Sequence, residues 1–182
     1  MLKYLKFVLL TGFYVFFLVL YFTNEVNRNL AGVLFDSFGL SCLAAFYILF
    51  LLRSIPVSLP DRYFRIRGFE KSGKIYRLLG VRFFKLILAK NFAPAFTGKL
   101  VLKGPSPEEI DRLEKQMRFA ETIHTLAFFL TLLVMIPFGL YRDPRFFVFM
   151  PLFTVLTNLY PSLVQRFNRS RIMKLQRLPR NN

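Results

Sequence analysis

Four apolar runs, set apart by stretches dense in lysine and arginine, constrain this chain more than any other feature. They cover Phe7 to Phe22, Leu30 to Leu52, Ile123 to Leu140 and Phe146 to Val164. Inside a bilayer every backbone N–H and C=O must be bonded within the chain, so an apolar run long enough to cross ~30 Å of hydrocarbon is expected to be a helix. The first and third runs reach that length only marginally, and the first is extended by Lys3 and Lys6, whose ammonium groups can snorkel to the surface. A cleaved signal peptide is disfavoured, because Thr23, Asn24, Glu25 and Val26 follow the first run and offer no small-x-small cleavage site. The expected fold is an all-α integral membrane protein, a single unit over residues 1–182. It has four transmembrane helices and a basic, amphipathic cytoplasmic layer between the second and third.

Charge gives the orientation. The chain carries 26 Lys+Arg against 10 Asp+Glu, a net +16, while 54% of it is hydrophobic. With four spans, residues 1–6, 53–122 and 165–182 face one side and hold 23 of the 26 cations; Arg28, Arg142 and Arg145 face the other. The positive-inside bias then places both termini and the long middle segment in the cytoplasm. Cations that flank apolar runs point to membrane lipids as partners, and no nucleic-acid partner is expected. One cysteine, Cys42, excludes a disulfide framework, and one histidine, His124, excludes a multi-histidine metal site. Glu121 and His124 have the spacing of half a di-iron motif, but the second His and further inward carboxylates are missing, so no metal is expected.

The middle segment reads as an interfacial layer. Arg53 to Phe69 is expected to be extended, punctuated by Pro56, Pro60 and Gly68. Glu70 to Lys90 interleaves cations with apolar residues, which suits one or two short amphipathic helices in the headgroup region, interrupted near Gly80. Asn91 to Gly104 reads as loop, with an extended piece at Lys99 to Lys103. Ser106, Pro107, Glu108 and Glu109 then make a strong helix start. Ile110, Leu113, Met117, Ala120 and His124 recur at helical spacing, so this helix should run unbroken into the third span. The tail after Gln165 should be helical at first and fray toward Pro179.

Gly-x-Ser-x-Gly, Walker, dinucleotide-binding and Cys-x-x-Cys motifs are all absent. What remains is a polar constellation. Glu121 and His124, three apart on a helix, can face each other, with the carboxylate fixing the imidazole tautomer. Asn158 lies in the fourth span, roughly 10 Å from its cytoplasmic end by helical rise. Just beyond come Gln165, Arg166, Asn168, Arg169 and Arg171. Polar groups inside spans are costly unless they pair or line a site, so this convergence is a candidate site. The plainer alternatives stand beside it: His124 as a packing residue at a span boundary, and the arginines as anchors on anionic headgroups.

Three blocks carry a family resemblance. The first comprises Leu59-Pro60-Asp61-Arg62-Tyr63-Phe64, Phe69-Glu70-Lys71-Ser72-Gly73-Lys74-Ile75-Tyr76 and Val81-Arg82-Phe83-Phe84-Lys85. The second is Arg118-Phe119-Ala120-Glu121-Thr122-Ile123-His124. The third is Asn158 with Pro161, then Gln165-Arg166-Phe167-Asn168-Arg169 and Arg171. Over roughly residues 55 to 175 the chain resembles the glycosyl-4,4'-diaponeurosporenoate acyltransferase family, the staphyloxanthin-type carotenoid glycoside acyltransferases. It departs from the family pattern where Thr125 and Phe84-Lys85 stand in place of tryptophan-containing pairs, where Ser170 replaces a proline, and at Tyr160, an insertion-like residue before Pro161. These departures bear on substrate identity more than on reaction type.

The resemblance implies a bacterial cell-membrane enzyme that esterifies a sugar hydroxyl of a lipid-embedded glycoside with a fatty acyl group at the cytoplasmic leaflet. The acceptor would be a carotenoid glycoside or a related glycolipid. Acyl-CoA or acyl carrier protein would be the donor substrate, with no bound cofactor, and a complex with other enzymes of the pathway is a further expectation. On this reading His124 is the general base and Glu121 orients it, while Asn168, Arg166 or Asn158 donates to the oxyanion. Glu70, Lys85, Asn158, Gln165, Arg169 and Arg171 would bind substrate, the donor phosphates being drawn by Arg169, Arg171 and the basic layer from Lys71 to Lys85. The competing reading is a non-catalytic scaffold or accessory subunit docked on anionic lipid or a partner enzyme.

Overall fold

A computed structural model describes residues 2–23, 29–55, 57–87 and 106–175. Among these the chain is helical throughout its ordered elements, with no strand. The elements are α1 (Leu2–Thr23), α2 (Leu30–Ser54), three short helices α3 (Asp61–Phe64), α4 (Gly68–Lys71) and α5 (Lys74–Leu78), α6 over residues 81–87, and α7 (Pro107–Tyr141). After α7 come α8 (Phe146–Thr154), a π-helical turn at Val155–Leu159 and α9 (Tyr160–Leu175). Four stretches are long and apolar enough to cross a membrane: Tyr4–Thr23, Leu30–Ser54, Glu108–Tyr141 and Phe146–Met173. The protein is an all-α membrane protein.

Local chemistry explains the helix boundaries. Asn29 caps α2, its side-chain oxygen accepting from the Gly32 N–H at 2.7 Å. At the start of α7 the cap is reciprocal: the Glu109 N–H donates to Ser106 Oγ and the Ser106 N–H to Glu109 Oε2, at 3.2 and 3.1 Å. From there α7 runs for 35 residues without a break, as the apolar stripe indicates. The middle segment differs from expectation in two respects, a helical turn where extended chain is expected and three short helices where one or two are. The stretch expected to be extended contains a helical turn, α3, started by Pro60 and Asp61. Beyond it the basic layer is cut into α4, α5 and α6 by Gly73 and Gly80, both at positive φ (72° and 69°), a conformation that a side chain disfavours. The expected loop over 91–104, its extended piece at Lys99 to Lys103 and the fraying toward Pro179 lie outside the described residues.

The chain groups into two compact units built from non-adjacent segments. The first, Met1–Ser58 with Thr122–Pro161, holds two apolar clusters. One packs Val33 and Leu40 against Phe138, Phe146 and Met150; the other packs Ala44, Ile48 and Leu52 against Ile123 and Ala127. Gly139 permits the close approach of α7 to α8, since a Cβ there would sit 2.5 Å from the Phe147 ring. The outward face of α1 carries exposed Tyr4, Val8, Leu9, Phe13 and Phe16, as suits a helix solvated by lipid. The second unit, Leu59–Glu121 with Ser162–Asn182, has a small core of Ile110, Met117 and Ile172 and relies heavily on buried ion pairs.

Candidate functional site

The second unit is organised around two guanidinium groups, that of Arg169 buried and that of Arg166 partly so. The turn α3 ends with unsatisfied carbonyls, as every helix does. Arg166 and Arg169 supply the missing donors. Arg166 Nη1 donates to Tyr63 O at 2.9 Å and Nη2 to Arg65 O at 3.1 Å, while Arg169 Nη2 donates to Phe64 O at 2.6 Å. Two carboxylates neutralise the pair. Glu121, 0% exposed, accepts from Arg166 Nη1 at 3.0 Å through one oxygen and from Arg169 Nη1 at 2.9 Å through the other. Glu70 accepts from Arg166 Nε and Nη2, from the Arg67 N–H at 2.7 Å and from the Tyr76 hydroxyl at 2.7 Å. Burial by itself would raise the Glu70 carboxyl; the bonds from Arg166, Arg67 and Tyr76 outweigh it and hold the group below the usual carboxylate range.

This arrangement gathers four of the residues assigned from sequence into one clamp. Both oxygens of Glu121 are taken by guanidinium groups, so it is placed to order arginines and not to orient an imidazole. All five Arg166 N–H groups have acceptors, which leaves none for an oxyanion. Arg169 is 3% exposed and paired, out of reach of a donor phosphate. Glu70 is buried and serves the same clamp instead of a substrate. Of the other assigned residues, Asn168 accepts from Lys85 Nζ at 2.9 Å. Gln165 is half-buried on α9 with no hydrogen bond among the described residues, and Arg171 is exposed, its guanidinium 6.0 Å from the Phe167 ring centre.

His124 has a different partner in the first unit. Its Nδ1 lies 3.5 Å from Asn158 Oδ1, long for a hydrogen bond. The orientation of the Asn158 amide is settled by its other end. Asn158 Nδ2 meets the backbone oxygen of Ser41 at 3.3 Å, and a carbonyl can only accept. Ser41 Oγ, Thr154 Oγ1 and Thr157 Oγ1 surround the same nitrogen at 3.0–3.1 Å. The amide oxygen therefore faces the ring, an arrangement that favours the tautomer with its proton on Nδ1. Asn158 is fully buried, on the π-helical turn, where the wider backbone turn sets Thr154, Thr157 and Asn158 around Ser41.

Residues 60–178 match the family model described as glycosyl-4,4'-diaponeurosporenoate acyltransferase. The chain belongs to this family. Comparison with curated proteins and with solved structures gave no match.

The acyltransferase match spans His124, Asn158 and the whole arginine clamp, but not Ser41, which the sequence reading also passed over. A signal for it existed: Ser37 and Ser41 sit one turn apart in an apolar run, and both are fully buried. Thr154 was legible in the same way, one helical turn before Asn158, whereas Thr157, its direct neighbour in sequence, was not. Tyr76, donor to Glu70, had no such signal, because a tyrosine among basic residues looks like any interfacial aromatic. Among the described residues no group of three His, Cys, Asp or Glu is arranged to hold a metal.

Proposed function

We propose that this family member transfers a fatty acyl group from a thioester donor to a sugar hydroxyl of a lipid-embedded glycoside at the cytoplasmic leaflet. The acceptor is a carotenoid glycoside such as glycosyl-4,4'-diaponeurosporenoate or a related glycolipid, and the donor is acyl-CoA or acyl carrier protein. Family membership supports acyl transfer, and the observation that carries the mechanism is the His124–Asn158 pair. A neutral imidazole whose Nδ1–H is held by an amide oxygen presents Nε2 as a base. Nε2 takes the proton of the sugar hydroxyl as its oxygen attacks the thioester carbonyl. The tetrahedral intermediate then collapses, the C–S bond breaks, and the departing thiolate takes that proton from Nε2. No bond to the protein forms, and the ring returns to its starting state. A positioned base of this kind is worth about 10²–10⁴-fold in rate.

The test is His124→Gln, which keeps size and polarity but removes the base. Lipid extracts of cells carrying the variant should lack the acylated glycoside and accumulate its unesterified precursor by mass spectrometry, with membrane insertion unchanged. Ester formation at the normal rate would remove His124 from the mechanism.

A further inference from the structure

The second unit contains a cavity of about 460 Å³ whose lining includes Arg77, Arg82, Lys85 and Arg171, together with Phe167 and Leu86. No carboxylate lines it. Nor is one within ion-pair distance of these four cations among the described residues. Six of the unit's seven acids are committed elsewhere: Glu70 and Glu121 to the arginine clamp, Asp61 and Glu114 to Arg118, Asp111 to Lys115, and Glu109 to the cap of α7; the seventh, Glu108, is exposed in the first turn of α7 and does not line the cavity. Four like charges around one concavity repel each other, and their countercharge has to come from a bound anion or from solvent ions. Lys85 shows the effect. Burial pushes its ammonium down and neighbouring Arg171 pushes the same way, while among the described residues its hydrogen bond goes to the neutral amide of Asn168.

A second feature narrows the anion. The same short helices expose large apolar side chains beside the cations: Leu78 at 83%, Phe83 at 69% and Leu86 at 67%, with Leu86 itself part of the cavity lining. Phe83, Leu86 and Ile87 share one face of α6 by their i, i+3, i+4 spacing. Exposed apolar surface next to a cationic hollow suits a ligand that carries a charged head and a hydrocarbon chain.

We propose that this cavity binds the phosphate of an amphiphile, Arg77, Arg82, Lys85 and Arg171 holding the phosphate oxygens while the chain lies along Leu78, Phe83 and Leu86. Two molecules present that chemistry: the acyl-CoA donor, in which case the site rests on the function proposed above, and an anionic phospholipid. Guanidinium forks match phosphate oxygens bidentately, and each charge-assisted bond lost should weaken binding about tenfold.

The full-length protein in nanodiscs of zwitterionic lipid is titrated with coenzyme A, and its retained lipids are examined by native mass spectrometry after exposure to phosphatidylglycerol. The variants are Arg82→Gln with Lys85→Gln, the charge-keeping Arg77→Lys with Arg82→Lys, and Arg112→Gln, an exposed cation on α7 outside the cavity. Salt-sensitive coenzyme A binding that falls about a hundredfold in the neutralised variant, by less in the charge-keeping variant, and not in Arg112→Gln supports the site with the donor as ligand. Retention of phosphatidylglycerol lost in the same variant, without coenzyme A binding, supports it with a lipid headgroup as ligand. Binding of both probes unaffected by neutralisation, or of neither, overturns the proposal. The two readings fail separately. Normal acyl transfer with both donor affinity and phosphatidylglycerol retention unchanged in the neutralised variant sinks the cavity alone, while phosphate binding in a protein that forms no ester sinks the proposed reaction alone.

Discussion

Asn158 determines what His124 can do, because an imidazole is a base only at the nitrogen that lacks a proton. Asn158→Leu keeps the volume but deletes the oxygen that holds Nδ1–H. It should lower kcat by about 10²-fold or more with a smaller change in acceptor KM, since the ring would sample the wrong tautomer. An unchanged kcat in a correctly inserted variant would remove Asn158 from the mechanism. The arginine clamp predicts the opposite kind of loss. Arg169→Met leaves one oxygen of the buried Glu121 without its cation, and breaking such a pair costs about 3–5 kcal/mol, read as a large drop in thermal unfolding temperature in detergent. His124 and Asn158 stood out in the sequence because a polar group in an apolar run has to be explained. The partners of Glu121 did not, because spacing along one helix favours His124, and the arginines that win are brought from 45 and 48 residues away. A carboxylate takes a permanent cation before a neutral ring.

At the scale of elements, the π-helical turn at Val155–Leu159 is the feature the sequence hid most completely. Periodicity reads the fourth span as ordinary helix, yet Tyr160, the residue that looked inserted, follows directly on the wide turn, which is how a helix takes up one extra residue without losing its axis. Deleting Val155 should restore plain α-helix and rotate Asn158 by about 100° away from Ser41. Acyl transfer should then fail while the span still inserts, and full activity in the deletion would show that the turn does not set the site. The short helices α4 and α5 give a pH prediction. The Glu70 carboxyl is held below its ordinary value of 4.5, so it binds fewer protons folded than unfolded and its stabilisation is fully present above that value. The contribution is lost as pH falls through the depressed value. Melting temperature should therefore drop on acidification below about pH 4.5, and Glu70→Gln should flatten that part of the profile; an unchanged slope would mean that Glu70 does not carry it.

For the whole molecule, charge is the property that decides how the chain sits. Of the 26 lysines and arginines, 23 lie in the segments that four crossings place on one side, a bias that translocation does not reverse easily. This fold-level pattern was legible from composition and run length because the bilayer imposes it without reference to tertiary packing, unlike the clamp and the π-helical turn. The acyl donor of the proposed reaction is made in the cytoplasm, so that reaction requires the cationic middle segment to face inward. Cys42 is the chain's one cysteine, so Cys42→Ser gives a background free of thiols. In it, Lys71→Cys and Tyr141→Cys place a probe at exposed positions on α4 and at the end of α7. A membrane-impermeant maleimide added to intact cells should label Tyr141→Cys and spare Lys71→Cys until the cells are opened. The reverse pattern would put the basic layer outside, where no thioester donor reaches it, and would leave family membership intact while removing the cytoplasmic site.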